Sequence, residues 1–203
     1  MTQTKKLLDF TVSVAILVCS IGVFALFGAY SMGFIDLSSE PTVQAEENTS
    51  NVPRVPASEH PDMDGVLLEN LIFERVNEKR VEEGKDPFVH SERVRLIARI
   101  HSNDMADRDF FDHTNPDGNG SSERHERYEG CKITNENIAM WENPPTSNES
   151  ELARKIVNGW ANSSGHKENM YTSYDKVSAV GVYVTENRSL YVTQNFCREH
   201  PNA

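Results

Sequence analysis

The feature that most constrains this chain is a run without charged residues from Phe10 to Ile35. At 1.5 Å per residue, a helix of this length exceeds the roughly 30 Å hydrocarbon core of a bilayer. Lys5 and Lys6 precede the run and acidic residues follow it, so the positive-inside rule places residues 1–9 in the cytoplasm and the rest outside. We therefore predict an uncleaved transmembrane signal-anchor over 10–35 and a single-pass protein of the cell membrane.

A cleaved signal peptide is the alternative, and it would make the protein a secreted one. The apolar core of a signal peptide usually has about 7–15 residues, which is fewer than this run contains. The segment Val43-Gln44-Ala45 offers a cleavage site, but it lies well beyond the run. These observations favour the anchor.

Residues 36–63 are predicted to form a disordered linker between the anchor and a folded domain over 64–199. They are rich in Ser, Glu, Pro, Asn and Thr, and such a composition buries too little apolar surface to offset chain entropy. We expect a semi-extended spacer. The net charge of -11 and the pI of about 5.1 argue against nucleic acid as a partner.

Within residues 64–199, the apolar pattern predicts helices first and a β-hairpin last. Apolar residues recur every three to four positions after Asp64 and again after Ser91, a favourable N-cap. His101 lies on the apolar stripe of the second helix, which favours a core histidine with one satisfied hydrogen bond. We predict helices over about 64–83, 91–108, 121–129 and 150–160, and strands over 132–141, 177–185 and 190–196. This order indicates an α+β fold with helices packed on an antiparallel sheet.

Three separate stretches contain the candidate site residues His113, Glu136 and His166. Two histidines and a carboxylate can bind zinc with an open coordination position, act as a general acid–base set, or form a hydrogen-bonded polar cluster. The spacing does not decide between these, because the two histidines are far apart and form no H-E-x-x-H motif.

Two of the three cysteines, Cys131 and Cys197, lie outside the apolar run, whereas Cys19 lies within it. An even pair in an exported region predicts one disulfide between Cys131 and Cys197. Two buried free thiols are the alternative.

Several stretches between about Leu68 and Cys197 carry a further signal through their order along the chain. They are Val76-Asn77-Glu78-Lys79-Arg80, Ala98 to Ala106, Phe110-Phe111-Asp112-His113, Glu136-Asn137-Ile138-Ala139, Trp160 with Gly165-His166-Lys167-Glu168-Asn169-Met170, Gly181-Val182, and Tyr191-Val192-Thr193-Gln194-Asn195-Phe196. Taken in this order, they resemble a domain of the CAP superfamily, the group of cysteine-rich secretory proteins, antigen 5 and pathogenesis-related 1 proteins.

The resemblance implies an α-β-α sandwich with a central cleft that holds two histidines and two glutamates and, in some members, zinc or another divalent cation. Carried over by position, it implies a cavity of His113, Glu136 and His166, with the two histidines as metal ligands. It also implies supporting roles for Asn137, Asn169 and Ser163. Animal members often have a glutamate shortly after the tryptophan, where this chain has Ala161-Asn162-Ser163. This resembles the shorter prokaryotic form.

Three functions are compatible with this resemblance. The first is a membrane-tethered extracellular binding module for a divalent metal, a small apolar ligand or a protein. The second is a metal-dependent hydrolase with Glu136 as general base, and the third is a structural envelope or adhesion module. Because the second glutamate is missing, we favour binding without turnover.

Overall fold

The computed structural model describes residues 47–144 and 147–199. The predicted anchor over 10–35 lies outside this part of the chain. Among the described helices, none is both long enough and apolar enough to span a bilayer. The elements are α1 (Gly65–Glu82), β1 (Val89–His90), α2 (Glu92–Asp107), α3 (Ser121–Arg127), β2 (Ile133–Glu142), α4 (Glu149–Asn162), α5 (Ser164–Tyr171), β3 (Val177–Val184) and β4 (Ser189–Cys197).

The four strands form one mixed sheet in the order β1-β3-β4-β2. Strand β4 pairs antiparallel with both β3 and β2, as the predicted hairpin requires. Strand β1 runs parallel to β3, with Val89 opposite Val177. The prediction of an antiparallel central sheet is therefore wrong at this edge. A strand of two residues carries no alternation, so the sequence pattern gave no sign of it.

Helices cover both faces of this sheet. Successive β3 side chains point to opposite faces, so the strand packs against helices on each side. On one face, Val180 and Val182 join a core with apolar residues of α1 and α4. On the other face, Ala179 packs with Val94 of α2. A side chain on Gly181 would overlap the backbone of Arg99, so glycine allows α2 to approach the sheet closely. The layers form the expected α-β-α arrangement.

The predicted linker over 36–63 needs a correction in its described part, because residues 47–63 pack against the domain. The side chains of Val52, Ala57 and Met63 are buried. The Glu59 amide donates to the carbonyl of Val184 at 2.8 Å, and the Ala57 carbonyl accepts from the Val184 amide at 3.1 Å. A few apolar anchors and backbone hydrogen bonds outweigh the polar average composition of this stretch.

Candidate functional site

Glu136 of β2 is the buried centre of the candidate site. Its side chain is only 3% exposed. Arg124 of α3 donates from Nη2 to Oε2 at 2.7 Å, and Nδ1 of His113 lies 2.9 Å from Oε1. Burial alone would raise the pKa of Glu136, but the hydrogen bond from His113 and the charge of Arg124 outweigh it and lower the pKa. Glu136 is therefore an ionised carboxylate with both oxygens occupied.

His113 reaches Glu136 from the loop between α2 and α3. Its carbonyl accepts a hydrogen bond from Nη1 of Arg124 at 3.1 Å, so the same guanidinium fixes the loop and the carboxylate. The ring is 54% exposed. The hydrogen bond with Glu136 raises the pKa of His113 despite its partial burial. With Nδ1 bound to the carboxylate, Nε2 is the ring nitrogen left for another partner.

His166 lies in the first turn of α5, beyond the Ser-Ser-Gly break that ends α4. Ser163 both ends α4 and precedes α5, and its side chain makes no capping hydrogen bond to α5 among the described residues. The pKa of His166 is lowered by partial burial and by the positive charge of His113. The charge of His113 thus acts on His166, although the sequence separates the two residues widely. We refer to the region of His113, Glu136 and His166 as the candidate cleft.

Two asparagine side chains, of which one is buried and the other half-buried, connect α5 to β2. Asn137 is fully buried, and its Nδ2 donates to the carbonyl of His166 at 3.3 Å. Asn169 donates from Nδ2 to Oδ1 of Asn137 at 2.9 Å and to the carbonyl of Glu136 at 3.4 Å. Both residues thus hold the His166 backbone against the strand that carries Glu136.

Trp160 makes a similar contact with β2, two residues further along the strand. Its Nε1 donates to the carbonyl of Ile138 at 3.3 Å, and its ring lies 6.5 Å from that of His166 between centroids. Strand β2 is at the edge of the sheet, so side chains that bind its carbonyls also protect that edge from pairing with another strand.

His101 lies behind the cleft as a core residue, which confirms its prediction. Its side chain is fully buried, and Nε2 lies 3.0 Å from the carbonyl of Asp112. Nε2 is also 3.9 Å from Oε1 of Glu136. Burial lowers the pKa of His101 to about 4, so the ring is neutral at physiological pH.

The predicted disulfide between Cys131 and Cys197 is confirmed, with 5.8 Å between the two Cα atoms. His125 of α3 lies beside it, with Nδ1 3.4 Å from Sγ of Cys131 and Nε2 2.9 Å from Nδ2 of Asn195. Burial lowers the pKa of His125 to about 4. Sequence reasoning missed both His125 and Arg124, because the stretch Ser121–Arg127 contains only polar residues and predicts an exposed helix.

The candidate cleft could offer a metal ion at most two imidazole nitrogens, which is fewer than the three or four protein ligands of a typical zinc site. Metal-binding histidines usually bind a carboxylate through the other ring nitrogen, and His113 makes this contact with Glu136. Both oxygens of Glu136 are engaged, so the cleft offers two imidazoles rather than four ligands. In the part of the chain that the structure describes, the one set of three potential ligand atoms within 4.8 Å of one another belongs to His125, Cys131 and Cys197.

Comparison with known proteins identifies the family. The model of the CAP, or cysteine-rich secretory protein, family matches residues 73–196. The uncharacterized protein YkwD of Bacillus subtilis is 28% identical over 127 residues, which cover 62% of this chain and 46% of YkwD.

Solved structures agree with this assignment. An extracellular protein of Bacillus anthracis that contains an SCP domain aligns with a TM-score of 0.56 and 27% identity over 66% of this chain and 41% of its own. An outer surface protein of Borrelia burgdorferi shares the fold, with a TM-score of 0.55 and 15% identity over 68% of this chain and 97% of its own. The chain spans less than half the length of the two Bacillus proteins. The family match over more than half of its length shows that this chain belongs to the CAP family.

Proposed function

We propose that this protein is an extracellular CAP module, held at the cell membrane by residues 10–35, that binds a divalent transition-metal ion and a ligand without turnover. The extracellular location is supported by the B. anthracis relative, which is described as an extracellular protein. The basic residues before the apolar run and the acidic residues after it support the same orientation.

The observation that carries the metal proposal is that Glu136 holds the His113 ring through Nδ1 while much of the ring stays exposed. Its Nδ1 is bound to Glu136, its ring is 54% exposed, and His166 is near enough for the charge of His113 to lower its pKa. Two nearby imidazoles repel one another when both are protonated. A cation that binds both neutral rings replaces this repulsion with two metal–nitrogen bonds.

The same geometry argues against a hydrolase that uses Glu136 as general base. A general base needs a free lone pair within hydrogen-bond reach of the water it activates. Glu136 is 3% exposed, and His113 and Arg124 each hold one of its oxygens. We assign it the role of orienting His113. Phe111, two residues before His113 in the same loop, is 45% exposed and offers an apolar contact to a ligand or protein.

Zinc titration of the full-length chain, purified in detergent without a histidine tag and with its disulfide intact, tests this proposal. We expect calorimetry to show about one equivalent of zinc in the wild type and in a His60→Ala control, and none in His113→Ala/His166→Ala. His60 is a suitable control because its Nδ1 accepts a local hydrogen bond from the Asp62 amide.

Two outcomes would overturn the proposal. Equal heats from the wild type and the double variant would remove the cleft metal site and leave a structural envelope module. Turnover of peptide or ester substrates by the zinc-loaded protein, abolished in Glu136→Gln, would establish the hydrolase instead.

A further inference from the structure

We propose that Cys131, Cys197 and His125 form a second metal site, of the zinc type, when the disulfide between the two cysteines is reduced. This site is separate from the cleft and uses none of its residues. The two thiolates and Nδ1 of His125 would be the ligands. Such a mixed sulfur and nitrogen set is typical of zinc.

The nitrogen ligand is already spaced for an ion shared with one of the sulfurs. All three atoms lie within 4.8 Å of one another, and Nδ1 of His125 is 3.4 Å from Sγ of Cys131. Around a tetrahedral zinc with bonds of about 2.0–2.3 Å, ligand atoms lie about 3.5–3.8 Å apart. After reduction, the two sulfurs must therefore separate from the bonding distance of about 2.0 Å to about 3.8 Å to admit the ion.

The surroundings hold the His125 ring in the orientation that a ligand needs. A side chain on Gly130 would overlap Nδ1 of this ring, so glycine leaves the space in which it lies. On the other side, the amide of Asn195 contacts Nε2, and its Oδ1 has no partner among the described residues. A half-turn of this amide lets Oδ1 accept from Nε2–H, which places the ring lone pair on Nδ1, toward the sulfurs.

Charge and access also suit a metal ion. Two thiolates neutralise a divalent cation, so the buried site carries no net charge and avoids the cost of burying an isolated ion. A surface cavity of about 380 Å³ reaches Cys131 and His125 and has the carboxylates of Glu126 and Glu129 in its wall. This cavity gives the ion a path and leaves room for water at a fourth coordination position.

The two sulfurs cannot form the disulfide and bind a metal ion at the same time. Two molecules of a thiol reductant supply two electrons and two protons, the bond between Cys131 and Cys197 breaks, and the reductant leaves as its disulfide. Metal binding then releases both thiol protons to solvent. A disulfide oxidant reverses the step: it accepts two electrons from the thiolates, its own sulfur–sulfur bond breaks to two thiols that take two protons from solvent, and the ion is released as the bond between Cys131 and Cys197 forms.

Cobalt(II) is a suitable probe, because thiolate ligands give it a charge-transfer absorption in the near ultraviolet. The full-length His113→Ala/His166→Ala variant is used, so that the cleft contributes no signal and the outcome does not depend on the function proposed above. It is reduced with a thiol, freed of the thiol under nitrogen and titrated. We expect one equivalent of cobalt with a thiolate band in the reduced protein, and no band in the same protein left oxidised.

Two further substitutions test the nitrogen ligand. His125→Ala should weaken cobalt binding at least about tenfold, and Asn195→Ala about 10–100-fold, as is typical when the partner of a metal-bound histidine is removed. His90→Ala is the matched control and should bind as tightly as the parent.

The folded state is followed by circular dichroism in each titration. If reduction unfolds the protein, cobalt should restore the fold, and a chain that stays unfolded with cobalt overturns the proposal. A folded, reduced protein without a thiolate band overturns it too. Cobalt binding as tight as that of the parent in both His125→Ala and Asn195→Ala also overturns it.

Discussion

The domain contains two pairs of histidines that differ in burial. The cleft pair, His113 and His166, lies partly exposed, whereas the buried pair, His101 and His125, is almost inaccessible to solvent. The charge of Glu136 raises the pKa of His113, His101 and His125 alike. Burial nevertheless takes the buried pair to a pKa of about 4, while the pKa of His113 is raised. The direct hydrogen bond to Glu136, which His113 makes at 2.9 Å, and the deep burial of His101 and His125 together decide the outcome.

This difference separates two structural histidines from His113 and His166, to which we assign binding as a proposal. The buried pair is neutral in the folded protein above about pH 4, and its rings serve as fixed hydrogen-bonding groups. The ring of His113 is 54% exposed, and its hydrogen bond with Glu136 raises its pKa above the ordinary value. One polar cluster thus supports both the packing of the domain and an open site.

Removing Arg124 should have the largest effect on the free energy of unfolding, because its guanidinium balances the charge of the buried Glu136 carboxylate. Arg124→Met leaves a buried carboxylate without its guanidinium, a change that typically costs about 3–5 kcal/mol. Arg127→Met is the matched control on the same helix, is exposed, and should change stability by less than about 0.5 kcal/mol. Urea denaturation measures both, and similar unfolding free energies for the two variants would refute the central role of Arg124.

The buried pair should make stability depend on pH. For His101 the folded pKa of about 4 lies below the ordinary value of 6.5, so the unfolded chain binds more protons between these values. Its contribution is complete above pH 6.5 and is lost as pH falls toward 4. A lowering of this size corresponds to roughly 3 kcal/mol.

His101→Gln keeps a side-chain donor for the Asp112 carbonyl but does not titrate. Urea denaturation at several pH values between 4 and 7 should therefore show a flatter dependence in this variant, by up to roughly 3 kcal/mol across the window. An unchanged slope would mean that burial of His101 does not govern its protonation.

Local patterns in the sequence predicted the main helices and the hairpin, because each of these leaves a short-range signal, whereas the disulfide was predicted from the pair of cysteines in a region expected to be exported. Helical spacing of apolar residues and alternation in the last two strands survive without tertiary information. The meeting of His113 with Glu136 and His166 was inferred from a family resemblance, since spacing alone left it open.

The features that escaped prediction depend on partners distant in the chain. Arg124 and His125 lie in a helix with no apolar residue, and they are buried because Glu136 and Asn195 come from strands that fold over them. In the same way, the segment from 47 to 63 is ordered by contacts with β3 and α2, such as the hydrogen bonds of Ala57 and Glu59 with Val184. No window of sequence around these residues contains that information.

The smallest effect expected is that of His113 on stability, and its sign should be opposite to that of His101. Because the folded pKa of His113 is raised, its contribution is present below the ordinary value of 6.5 and is lost as pH rises through the folded pKa. The ring is 54% exposed, so water screens the interaction with Glu136 and His113→Ala should cost less than about 1 kcal/mol. Urea denaturation at pH 6 and pH 9 should show this loss at the lower pH only. A large loss at both would place His113 with the buried pair and end the distinction between them.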